Sequence, residues 1–171
     1  MNEIYFENNE SKGFELLQDF NQKLKIQNLE KAIKKKHQFD ASGYTPSNKP
    51  VEIEIKIRDY NLEKCYDKWF ISKGEYKTDT VMIENHKLCP LLLDWIYDKT
   101  IPLYVNFFKN GYVLLHNLSN LGSKPEEKPF KIHSDGYETT QFEWRTLLKL
   151  NCGWIYKKNG ENYELVQKGT K

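Results

Sequence analysis

The sequence predicts an α/β protein built on a mixed sheet, and three observations predict it. In Val51 to Asp59 (VEIEIKIRD), Val51, Ile53, Ile55 and Ile57 alternate with the charged Glu52, Glu54, Lys56 and Arg58, the period of a strand with one face in the core. Apolar residues at helical spacing mark two helices: Phe14, Leu17, Phe20 and Leu24, then Leu88, Leu91, Leu92, Trp95 and Ile96. Two further apolar runs, Ile101 to Phe108 and Tyr112 to Leu118, flank Asn110-Gly111, a dipeptide whose tolerance of positive φ favours a tight hairpin.

From the N-terminus, residues 1–9 read as a tail, and Ser11 is a candidate helix cap. Helix is expected over about 11–36, as two helices or one with a kink, because Leu29, Ala32 and Ile33 continue the spacing and Asn28 interrupts it. His37 to Tyr44 is a short strand candidate, and the turn residues TPSNKP lead from it into VEIEIKIRD, so the pair reads as a hairpin. Residues 60–79 are irregular, Thr80 to Glu84 is a strand, and about 86–98 is a helix with Pro90 in its first turns. Residues 119–136 read as a surface loop and Thr139 to Leu150 as a helix. A closing hairpin is expected from Trp154–Tyr156 and Tyr163–Val166 around Asn159-Gly160.

The totals narrow the class of protein. A chain of 171 residues with 39% hydrophobic and 14% aromatic content fits one globular domain rather than a disordered chain. No run approaches the roughly 18 apolar residues of a membrane span, so no membrane partner is expected. The acidic, polar start MNEIYFENNESKG lacks the character of a secretory signal. Three widely spaced cysteines, Cys65, Cys89 and Cys152, fit reduced thiols and a cytoplasmic location. Net charge is only +2, so charge alone announces no nucleic-acid partner. Phosphate-binding loops of the GxxxxGK[ST] and GxGxxG types are absent, and His37, His86, His116 and His133 lack zinc-site spacing.

The charged face of VEIEIKIRD carries the chemistry. Glu54 and Lys56 are two apart and share a face, on a strand whose other face is wholly apolar and therefore anchored. A hairpin brings Asp40 toward Glu54. Two carboxylates so placed suit a hard cation such as Mg²⁺, or Mn²⁺ in its place. Such a cation acidifies water and polarises a phosphoryl oxygen, while a nearby lysine stabilises developing charge. Arg58 on the same strand, and Lys34, Lys35 and Lys36 upstream, are candidates for gripping flanking phosphates of a nucleic acid. A basic run is more often a solvated helix face, and a strand of alternating charges is often placed for cross-strand pairing.

With those residues in view, FDASGYTPSNKPVEIEIKIRD resembles the core of the PD-(D/E)XK nucleases, with Asp40 as the motif's Asp and Glu54-Ile55-Lys56 as its E-x-K. TVMIENHKL and IPLYVNFFKNGYVLLHNL are similar to later segments of small phage-encoded or bacterial members. The resemblance implies a restriction-endonuclease-like core, with a mixed sheet of four or more strands flanked by helices. The single domain over 1–171 would then have its core at about 11–118 and a C-terminal extension at 119–171. It implies Asp40, Glu54 and the Ile55 carbonyl as metal ligands, Lys56 as the catalytic lysine, and Glu15 or Glu30 as a further acid from the first helix. Phe39 stands where the motif's proline would be.

The expected function is therefore a Mg²⁺-dependent deoxyribonuclease, in phage replication, recombination or defence. A homodimer is compatible with it, since cutting a duplex commonly takes two active sites. The alternative is a nuclease-like domain that binds nucleic acid or a partner protein without cutting. Interleaved Tyr66, Trp69, Phe70 and Tyr76 with Lys64, Lys68, Lys73 and Lys77 suit either core packing or contact with bases. Glu84 and His86-Lys87 are candidates to face the same groove, although a surface carboxylate at a strand end and a solvated helix start are the commoner readings.

Overall fold

The computed structural model describes residues 2–33, 39–66, 70–71, 74–75, 79–120, 126–132 and 141–170. In chain order the elements are α1 (Asn2–Leu24), β1 (Gln27–Lys31), β2 (Ala41–Tyr44), β3 (Pro50–Arg58), β4 (Phe70–Ile71), β5 (Gly74–Glu75) and β6 (Thr80–Glu84). There follow α2 (Asn85–Asp98), β7 (Ile101–Phe108), β8 (Tyr112–Asn117), β9 (Glu126–Ile132), β10 (Gln141–Lys149), β11 (Trp154–Asn159) and β12 (Asn162–Gln167). Seven strands form one sheet in the order β1-β2-β3-β7-β8-β11-β12. Its β3–β7 pair is parallel and its other pairs are antiparallel, so the sheet is mixed, as expected. A second antiparallel sheet has the order β6-β10-β9, and β4 pairs with β5.

The parallel register explains the layering. Val51, Ile53, Ile55 and Ile57 lie beside Ile101, Leu103, Val105 and Phe107 on one face. That face is covered by α1 through Leu17 and Phe20. Glu54, Lys56 and Arg58 lie beside Tyr104, Asn106 and Phe108 on the other. There Leu88 and Leu91 of α2, Val81 and Ile83 of β6 and Leu148 of β10 close a second core. β7 is buried on both faces, the pattern of a central strand. The charged face of β3 thus looks into the space between two layers rather than out to bulk water.

Several expectations need correcting. Residues 2–9 belong to α1 rather than to a tail. Helix ends at Leu24 rather than running on through 25–33: Lys25 and Asn28 take positive φ (57° and 49°), which stops it, and Gln27–Lys31 becomes an edge strand, while residues 34–36 lie outside the described residues. Residues 126–132 are a strand rather than loop, and 141–149 are strand rather than helix, held by β6 and β9 on either side. The C-terminal segment is not an appendage to a finished core. β10 completes the second sheet, and Leu150 and Ile155 are buried in the core beneath it. Both expected hairpins form, but only their glycines take positive φ, Gly111 at 77° and Gly160 at 60°, and the second turns on Gly160-Glu161 because Asn159 pairs with Asn162.

Candidate active site

β2 begins where Ala41 pairs with Ile53, and the chain before it bends away. At the bend Asp40 N–H donates to the Ile53 carbonyl at 2.9 Å. The Asp40 side chain then continues what the strand began: its Oδ2 accepts the backbone N–H of Ile55 at 2.7 Å. Because strand residues two apart present their backbone groups to the same edge, the Ile55 carbonyl projects there as well. Asp40 and the E-x-K segment are therefore joined by a direct hydrogen bond.

Glu54 points into the interlayer space and is only 6% exposed. Burial raises its carboxyl pKa to about 8, and the negative charges of Asp40 and Glu84 push the same way. Lys87, in the first turn of α2, opposes them only partly, its Nζ standing 3.4 Å from Glu54 Oε2. Lys56 Nζ donates to Glu84 Oε1 at 3.1 Å, and the Lys56 side chain keeps 40% of its surface open to solvent. Burial works to raise the Glu84 carboxyl, but Lys56, a backbone hydrogen bond and, least of them, Arg145 bring it below the usual range. Glu84 is the last residue of β6 and the residue before α2 begins, which is why it and Lys87 reach over β3 from one short segment.

The structure thus brings Asp40, Glu54, Ile55 and Lys56 together and adds Glu84 and Lys87. The strand-end Glu84 is not a free surface group. Its signal in the sequence was its place at the strand–helix junction, with Lys87 one helical turn on. Asn106, opposite Lys56 on β7, is fully buried, and its Nδ2 has no acceptor among the described residues.

Other expected site residues fall elsewhere. The Arg58 guanidinium turns inward, with Nε on Asn106 Oδ1 at 2.9 Å and Nη2 on the Met82 carbonyl and Tyr104 Oη at 3.0 and 2.9 Å. Its donors hold the layers together, which corrects the expectation that it grips phosphate. Glu15 is exposed on α1, across the sheet from Glu54. Glu30 sits exposed on β1 rather than on a helix, opposite Ser42. Neither joins Asp40 and Glu54 as a further acid. Lys34, Lys35 and Lys36 lie outside the described residues, as does most of the aromatic and lysine run after Tyr66. Cys65 is buried and its thiol is pushed up to about 11 by that burial, the opposite of an activated nucleophile.

Among the described residues no three His, Cys, Asp or Glu side chains are grouped so as to hold a metal ion unaided. Mg²⁺ asks for less: it keeps several waters and commonly takes one or two carboxylates. Asp40, Glu54 and the Ile55 carbonyl supply oxygen donors of the right hardness, and a cation there would relieve the repulsion now acting on Glu54. No helix among the described residues is long and apolar enough to cross a membrane. The chain matches no protein-family model, and searches of the curated proteins and of the solved structures found no match either.

Proposed function

We propose that this protein is a divalent-cation-dependent nuclease that hydrolyses phosphodiester bonds of DNA. The reading is carried by one observation: Asp40 is bonded to the backbone of Ile55, between Glu54 and Lys56. Asp40, Glu54 and the Ile55 carbonyl would hold Mg²⁺ or Mn²⁺, which when bound supplies a more acidic water and a polarised phosphoryl oxygen. Lys56 has the role of stabilising negative charge on the phosphoryl group, and Glu84 orients its ammonium. Lys87 offsets part of the Glu54 charge and, at the N-terminal end of α2, adds to the positive rim that a phosphate would meet. Arg58 acts by holding β6 against β3, which sets the distance from Glu84 to Lys56.

The test is incubation of the purified chain with supercoiled plasmid and with single-stranded DNA, with Mg²⁺ or Mn²⁺ added. Cleavage is expected, and Glu54→Gln or Lys56→Met should lower it by about 10²-fold or more. Intact DNA, or equal cutting by Glu54→Gln, counts against the reading. A second reading, a domain that binds DNA without cutting it, draws on the lysine partners that both carboxylates, Glu54 and Glu84, already have. A gel shift that survives Glu54→Gln, with no cleavage by the parent, favours it.

A further inference from the structure

On the α1 side of the sheet, the last paired row before the β7–β8 turn is Ile57, Phe107 and Val113, with Ile57 beside Phe107 and Phe107 opposite Val113. Gly13 seats α1 closely on β3, where a Cβ would stand 3.2 Å from Ile55 Cγ2. Lys12 and Leu16, one turn apart on α1, line a pocket of about 410 Å³ together with this row. That volume is in the range of small-molecule sites. Phe107 and Val113 are buried in the floor, while Leu16 and Ile57 are only half-buried and leave apolar surface for a ligand to touch.

Charge says what such a ligand carries. Lys109 and Lys158 line the pocket with Lys12, all three exposed, and Asp59 is the one acid among the described lining residues. Lys158 is already paired with Asp19 at 2.5 Å. The Lys12 and Lys109 ammonium groups have no carboxylate partner among the described residues. Apolar walls beside unpaired cations fit an anion with an apolar body, whose hydrocarbon leaves water while its head group stays at the lysines. A nucleic acid would leave the apolar walls unfilled. The half-buried Tyr112 ring, which could stack a base, is already covered by the Lys157 ammonium at 4.1 Å from its centroid.

We propose that this pocket binds a medium-chain carboxylate, its hydrocarbon against Leu16 and Ile57 and its head group met by the Lys12 and Lys109 ammonium groups. The site is separate from the candidate active site. Ile57 packs toward α1, whereas Lys56 reaches Glu84 on the other face of β3, so occupancy is independent of any metal at Asp40 and Glu54.

The test is calorimetric titration of the full chain with sodium octanoate at low ionic strength. Saturable one-site binding is expected, weaker as salt is raised. It should fall about tenfold in the double variant Lys12→Gln/Lys109→Gln, and about threefold or more in Leu16→Gln. Octanol, which lacks the charge, and acetate, which lacks the chain, should each bind more weakly than octanoate, and Asp40→Asn should leave binding unchanged. Thermal melts establish that each variant is folded, and the exposed lysine pair keeps the test open if Leu16→Gln is not. The proposal is overturned by absence of heat with the parent chain, by unaltered binding in the double lysine variant, or by octanol or acetate binding as well as octanoate. Octanoate binding lost in Asp40→Asn overturns it equally. So does a short DNA duplex that binds through Lys12 and Lys109 where octanoate does not, which would make this face a nucleic-acid surface.

Discussion

The carboxylate of Asp40 accepts the backbone N–H of Ile55 at 2.7 Å, and this single bond ties the bend before β2 to the strand carrying Glu54 and Lys56. The bond serves the fold as well as the site, because it satisfies a donor at a point where β2 no longer pairs with β3. Asp40→Ala should therefore cost about 1–2 kcal/mol by urea unfolding, while Asp40→Asn, which keeps an acceptor, should cost less. Both should abolish metal-dependent cleavage. Equal stability of the two variants would mean that the hydrogen bond is immaterial to folding.

Lys56 and Glu84 give the opposite balance. Their ion pair is partly exposed, so removing it should change stability by only about 0–1 kcal/mol. Lys56→Met should nonetheless reduce cleavage by about 10²-fold, and Glu84→Gln by less, since it acts through the lysine. Parallel denaturation curves and single-turnover assays separate the two effects.

Arg58 is expected to matter for stability. Its guanidinium bonds Asn106, Tyr104 and the Met82 carbonyl between the two layers. Arg58→Met should destabilise the chain by about 2–4 kcal/mol, because it strips partners from groups that stay buried. A loss confined to DNA affinity, with unfolding unchanged, would restore the phosphate-gripping role.

His116 predicts a pH dependence. Burial lowers its pKa from 6.5 to about 4, although the bond from its Nε2 to the Lys149 carbonyl, at 2.9 Å, works the other way. Between those two values the unfolded chain binds the proton and the folded chain does not, so this residue's contribution to stability falls as pH drops from 6.5 towards 4. In His116→Gln that part of the acid loss should be absent, which melting temperatures across the window, compared with the parent, can measure. Identical acid profiles would remove His116 from the account.

What the sequence disclosed was local. Val51 to Arg58 alternates without a break, and each Asn-Gly dipeptide marks its hairpin locally, so these elements and the shared face of Glu54 and Lys56 could be read directly. Residues 141–149 could not, because Leu147, Leu148 and Leu150 suit a helix as well as a strand. Their strand form depends on pairing with Thr80–Glu84, some sixty residues earlier in the chain. Leu29, Ala32 and Ile33 misled in the same way, and Asn28 was the clue that helix had ended. The charged face of β3 was legible as a face. That α2 would lay Lys87 over Glu54 and set Asp94 against Glu52 depended on how the layers pack.

A crystal of the chain soaked in Mn²⁺ tests the central claim most directly. The account predicts an anomalous peak within ligand distance of the Asp40 and Glu54 carboxylates and the Ile55 carbonyl, with Lys87 drawn off Glu54. A map with no peak there, and with Lys87 still paired to Glu54 at saturating metal, would contradict it.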